Sequence, residues 1–190
     1  MASKADTLWE DVLEHVEANE REEALELCRQ ITSMDPNHAP AWKMTAKMIL
    51  PMERRGVQDM PSLSQAASAY AALQNVVKLV PDDVESWARG GILLVDHLGM
   101  LEDALNWWQQ RRIANPTDVT PLIEQIAILV RLGMYSEASD LLEVMFEPDM
   151  EQPDRKQLAN MDRVRQMVDK ASKMEKEEVF RPQNPNHPRW

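Results

Sequence analysis

Residues 99–118 read GMLEDALNWWQQRRIANPTD, and most of the chain is this stretch repeated with a helix placed before it. Gly99 marks a turn. Leu101, Ala104, Leu105 and Trp108 recur at three- and four-residue spacing, the signature of a helix with one apolar face. Asn115-Pro116 ends that helix, because proline brings no backbone N–H and clashes with the preceding turn. Outward from this unit, Pro36 and Pro81 close two earlier apolar helices in the same way as Pro116. An alanine stands twelve positions before each proline, at Ala24, Ala69 and Ala104, and Ala138 is a fourth in GMYSEASDLL. The alanine spacings are 45, 35 and 34 residues, and the first is long by about the length of segment 51–61. Trp42 and Trp87 follow their prolines by six residues, and Leu122 holds that place in the third unit.

A helix pair of this kind has two faces to bury and cannot bury both alone. Stacking successive pairs makes a continuous core in which each unit touches mainly its neighbours. The turn-and-alanine core NEREEAL, LGMLEDAL and LGMYSEAS resembles the tetratricopeptide repeat, as do the closing prolines. The resemblance covers about three quarters of the chain. It implies an all-α fold: a right-handed α-α superhelix, or solenoid, of about four helical hairpins plus a C-terminal capping helix. The repeats would be 5–38, 39–83 with an inserted loop at 51–61, 84–118 and 119–152. Residues 153–180 would be the capping helix and 181–190 an extended proline-rich tail. Asn19 stands where the family has glycine; asparagine also tolerates positive φ.

Composition narrows the function. The net charge of −11 argues against a general nucleic-acid binder, which needs clustered Lys and Arg. It also argues against docking on an anionic membrane. No run of 18 apolar residues is present to span a bilayer, and the amphipathic start predicts a cytoplasmic protein rather than a secreted one. The single cysteine, Cys28, falls at a core register. Asp11 and His15 are too few for a metal site, and no nucleotide loop occurs. No cofactor and no enzymatic activity are expected.

Particular positions carry further expectations. Leu8, Val12 and His15 should face inward from the first helix. Ser62 with Gln65 reads as a capping box. Gly90-Gly91 lies mid-helix, at a cost of about 1 kcal/mol per glycine; one fits the family's small position and the other has no reading. Trp108 falls at the buried register and Trp107 at an edge. Leu158, Met161, Val164, Val168, Ala171 and Met174 make the apolar stripe of the capping helix.

The resemblance places a concave groove on the first helix of each pair. Its register puts Trp9, Leu13 and Glu17, then Lys43, Met44 and Lys47, then Arg89, Ile92 and Asp96, then Ile123, Glu124, Ala127 and Arg131 on that face. The predicted peptide-binding residues are Trp9, Leu13, Lys43, Met44, Lys47, Arg89, Ile92 and Arg131. Four cations on one face of an acidic chain point to a partner that is itself acidic. Some family members clamp chaperone carboxylates. Here Lys43 matches, but Lys47, Arg89, Thr120 and Glu124 replace the other clamp residues, so that clamp is not expected. The expected function is a non-catalytic protein-protein interaction scaffold or adaptor. The second expectation is a self-assembling module, a homo-oligomer built through the C-terminal helix or the tail with Trp190. Arg54, Arg55 and Gly56 in the inserted loop would extend a partner site.

Overall fold

A computed structural model describes residues 4–51, 53–54 and 57–180. The expectations for the tail, for Arg55 and Gly56, and for the Arg54 side chain lie outside the described residues. The chain divides into two compact units, Met1–Asn115 and Pro116–Trp190.

The first unit holds α1 (Lys4–Glu17), α2 (Arg21–Met34), α3 (Ala39–Ile49), α4 (Leu63–Leu79), α5 (Val84–Ile92) and α6 (Leu101–Ala114). Within the unit each packs on its neighbours in sequence, α1 on α2 through α5 on α6, as stacked hairpins require. The turns are local solutions to reversing the chain. Asn19 takes φ 61° and Gly99 φ 66°, the left-handed region open to few residue types. The residue two positions after each proline starts the next helix by accepting a backbone N–H. His38 Nδ1 accepts from Ala41 at 3.1 Å, and Asp83 Oδ1 from Ser86 at 3.1 Å. Such caps satisfy donors that the first turn leaves without partners. The Pro-to-Trp spacing has an equally direct cause: the Trp42 indole donates to the Pro36 carbonyl at 2.9 Å and Trp87 to Pro81 at 2.7 Å.

Ser62 and Gln65 form the capping box on α4, side chain to backbone in both directions. The core of α1, α2 and α3 gathers Val12, Ala24, Cys28, Ile31 and Ala41; that of α3 and α4 gathers Ala46, Leu50, Ala69 and Leu73, with Leu93 from just after α5. Burial pushes the Cys28 thiol up to about 11, against a hydrogen bond to Thr45.

Four expectations change here. The inserted loop carries an antiparallel ladder, Glu53–Arg54 with Val57–Gln58, so regular structure occurs where none was expected. A strict all-helical reading excludes any sheet at this point. The ladder is confined to the insertion, and α3 and α4 flank it intact. His15 is half-buried rather than inward, its Nδ1 2.6 Å from Glu20 Oε2. The first helix of the third pair, expected over 85–97, is α-helical only to Ile92 and ends in a π-helical turn, Leu93–His97, with the Leu98 N–H donating to Leu93 O at 2.9 Å. Trp107 is buried to 3% exposure, not at an edge.

The glycine pair is explained by that last change. A Cβ on Gly90 would lie 2.3 Å from Trp107 Cζ2, and one on Gly91 2.5 Å from Trp108 Cζ2. Both indoles lie against bare backbone, and Trp107 donates to the Trp87 carbonyl at 2.8 Å. Both glycines are therefore required by close approach.

The second unit holds α7 (Val119–Arg131), α8 (Tyr135–Val144) and α9 (Arg155–Phe180). Asp118 caps α7 through the Thr120 N–H at 2.9 Å. Asp154 and Gln157 exchange side-chain and backbone bonds of 2.7 and 2.8 Å to start α9. Gln157 Nε2 also donates to Thr120 Oγ1 at 2.9 Å, tying α9 to α7. Met161, Val164, Val168 and Ala171 are buried, while Leu158 and Met174 of the same stripe are exposed. The helix packs on α7 and α8 through these buried residues. Among the described residues, no helix is long and apolar enough to cross a membrane.

Candidate functional site

A pocket of about 310 Å³ opens in the first unit on the side of α1, α3 and α5. Met44, Ala46, Leu50 and Leu73 give it an apolar floor; Trp9, Lys43, Lys47, Glu85 and Arg89 are among its other lining residues. Helical spacing explains the set: Lys43 and Lys47 are four apart on α3, and Glu85 and Arg89 four apart on α5, so each pair shares a face. Trp9 is braced by the His38 ring, whose centroid is 5.2 Å away at a 54° tilt. Since His38 also caps α3, the aromatic wall and the helix that carries the lysines are fixed together.

The charges are arranged differently from a row of free cations. Lys43 Nζ donates to both Asp83 oxygens, at 3.0 and 2.8 Å, and lies 2.9 Å from Glu85 Oε2. Arg89 Nε donates to Glu85 Oε1 at 3.2 Å. Burial alone works to lower the Lys43 pKa, but bonds to Asp83 and Glu85 outweigh it and hold it above the ordinary lysine value. Burial works to raise the Asp83 carboxyl; Lys43 and the Ser86 N–H outweigh that and hold it low. Lys43 also holds Glu85 low, against a smaller effect of burial. Lys43 is therefore a strut between α3 and the start of α5. Lys47 is exposed and, among the described residues, makes no ion pair.

Of the eight predicted groove residues, Trp9, Lys43, Met44, Lys47 and Arg89 line this one pocket. Leu13 on α1 and Ile92 on α5 are exposed at 42% and 52% but do not line it. Arg131 lies on α7, in the second unit. Ile123, assigned to the same open face, is buried at 1% exposure. The cause is composition: Leu122, Ile123, Ile126, Ile128 and Leu129 make α7 apolar nearly all round, and α9 packs on it. Such a helix is an interior one.

Sequence reading missed three side chains that shape the unit. Asp83 anchors Lys43; its signal was the short polar residue two positions after Pro81. Arg21 donates to the carbonyls of Lys47, Met48 and Leu50 at 3.0, 2.9 and 2.7 Å, closing the end of α3 beside the pocket. Arg111, 4% exposed, donates to Pro81 O at 2.9 Å. The two arginines had no signal, because their acceptors are carbonyls about 30 residues distant in sequence. Among the described residues, no group of three His, Cys, Asp or Glu side chains is placed to hold a metal.

No family model and no curated protein matches the sequence. Solved structures do match. MamA 41-end from Desulfovibrio magneticus RS-1 superposes with a TM-score of 0.54 at 14% identity, over 93% of this chain and 98% of that one. YrrB, described as a TPR protein with an unusual peptide-binding site, gives 0.54 at 16%, over 97% and 88%. A further MamA structure gives 0.54 at 13%, over 99% and 100%. With its stacked hairpins, positive-φ turns and small-residue helix contacts, the chain has the fold of a tetratricopeptide repeat protein.

Proposed function

We propose that this chain is a non-catalytic protein-interaction scaffold that holds a segment of a partner protein on the α1, α3 and α5 side of its first unit. The observation that carries the reading is the pocket itself: an apolar floor of Met44, Leu50 and Leu73 inside a charged rim. Peptide grooves combine these features, apolar pockets for affinity and rim charges for orientation. The peptide-binding description of YrrB, which shares the fold, supports the same class of function.

The partner contributes one large apolar side chain to the floor and an acidic group near Lys47. Lys43 is held by Asp83 and Glu85, so it orients α5 rather than the ligand. A random peptide library displayed on phage, selected on the full chain alone and then assayed against Met44→Glu, tests this. Enriched peptides should share an apolar anchor, bind the wild type and lose at least tenfold on Met44→Glu. Lys47→Glu should weaken binding of those with a neighbouring acid, and Lys43→Gln should affect binding less. Peptides that bind Met44→Glu as well as the wild type would remove the pocket from the account.

A further inference from the structure

Two exposed helix faces of this protein carry rows of opposite charge. On α1, Glu10, Glu14 and Glu17 are exposed on one face, since positions four and seven apart share a helix face. On α9, Lys156, Arg163 and Lys170 are exposed at seven-residue spacing on the side away from buried Val164, Val168 and Ala171. Among the described residues, none of these six makes an ion pair. On α1 the acids stand on neighbouring turns, an arrangement that destabilises the helix unless an opposite charge approaches, while on α9 the bases stand two turns apart.

The spacing is common to both. Glu10 and Glu17 are seven residues apart, as are Arg163 and Lys170, about 10 Å along a helix at 1.5 Å per residue. Two helices laid side by side therefore place both acids against both bases in one register. An exposed apolar side chain stands next to each row, Leu13 at 42% and Met174 at 56%, to be covered by the same contact. Asp162 and Asp169 lie beside the basic row and are also exposed. They disfavour a phosphate-rich surface, as does the net charge of −11, and leave a carboxylate-bearing helix as the fitting occupant.

We propose that the exposed face of α9 docks on α1 of a second copy of this chain, so that the protein associates head to tail. Such a contact joins two different surfaces, so it is heterologous and builds a closed ring or an open filament according to the rotation it imposes. It is electrostatic and exposed, and salt weakens it, because the screening length falls from above 10 Å to a few ångströms between dilute and molar salt.

Sedimentation velocity of the full chain from 1 to 100 µM tests it. In 50 mM salt the wild type should associate as concentration rises, and in 500 mM salt the association should weaken at least tenfold. Arg163→Glu with Lys170→Glu should be monomeric, and so should Glu10→Lys with Glu17→Lys. Mixed in equal amounts, these two variants should associate again, since the intact α1 of one meets the intact α9 of the other and the two reversed faces also carry opposite charges. The neutral pair Arg163→Gln with Lys170→Gln should show a smaller loss. A wild type that is monomeric at 100 µM in 50 mM salt would overturn the proposal. So would either charge-reversed variant associating like the wild type, or an equimolar mixture that stays monomeric. Capture of the wild type by phosphatidylserine vesicles without self-association would assign the α9 row to a lipid surface and equally overturn it.

Discussion

Nine and ten residues after Pro36, α3 carries Thr45 and Ala46; nine and ten after Pro81, α5 carries Gly90 and Gly91. Three and four residues after their repeat alanines, α4 carries Ala72 and Leu73 while α6 carries Trp107 and Trp108. The two hairpins start alike, with a capping residue two after the proline and an indole bonded back to the proline carbonyl. They fill the contact in opposite ways. In α3/α4 both helices contribute small or medium side chains. In α5/α6 one helix contributes nothing and the other two indoles. Close-packed interiors constrain the volume of a contact more tightly than which side supplies it, and these two hairpins are the two distributions.

The sharpest way to break the comparison is Gly90→Ala. In an open helix this change stabilises by about 1 kcal/mol. Here the new Cβ meets Trp107 Cζ2 at 2.3 Å, on a ring tethered to Trp87. A loss of about 3 kcal/mol is expected, the upper end for overpacking, seen as a fall of about 10 °C in Tm. Gly90→Ala combined with Trp107→Ala removes the ring that the new Cβ would meet. The pair should be about 2 kcal/mol more stable than the summed single changes. Strict additivity in denaturant titrations would mean that the two positions do not share volume.

The caps come next. His38→Ala should cost about 1 kcal/mol, an ordinary cap. Asp83→Ala should cost nearer 2 kcal/mol, because it removes the cap of α5 together with the anchor of Lys43. The pair also makes stability pH-dependent at both ends. Asp83 and Glu85 are held below their ordinary values. Their contribution is therefore full above the unfolded pKa, near 4, and is lost as pH falls through the folded values. Lys43 is held above its ordinary value, so its contribution is full below about 10.4 and is lost as pH rises through the folded value. Urea unfolding between pH 3 and 7 should show a smaller acid loss in Lys43→Met than in the wild type.

Repetition made the hairpins legible in the sequence. The prolines, the alanines twelve before them and the turn residues recur, and α2 and α6 begin and end where the periodicity puts them. The second glycine was opaque because its partner, the indole one turn of chain away, shows only in three dimensions. The pocket was half legible: register placed Trp9, Lys43, Met44, Lys47 and Arg89 on one side, but not that Asp83 and Glu85 neutralise Lys43. A register gives direction, whereas pairing depends on which neighbour arrives within 3 Å. Ile123 was misplaced for a related reason: register assigns a face as open without knowing that α9 lies on its helix.

The turns are the smallest expected effect and the control for the whole comparison. Gly99 at φ 66° has nothing within 4 Å of an added Cβ. Gly99→Ala therefore isolates the backbone cost of the left-handed region, about 1 kcal/mol, with no packing contribution. Asn19→Gly at φ 61° is the reverse case: the strain relieved is slight for asparagine, and unfolded-state entropy offsets part of it. Its effect should fall within about 0.5 kcal/mol of zero. If Gly99→Ala were as costly as Gly90→Ala, the large loss at Gly90 would reflect the sensitivity of α5/α6 to any change in its backbone. A threefold difference between them assigns the loss at Gly90 to the indole resting on it.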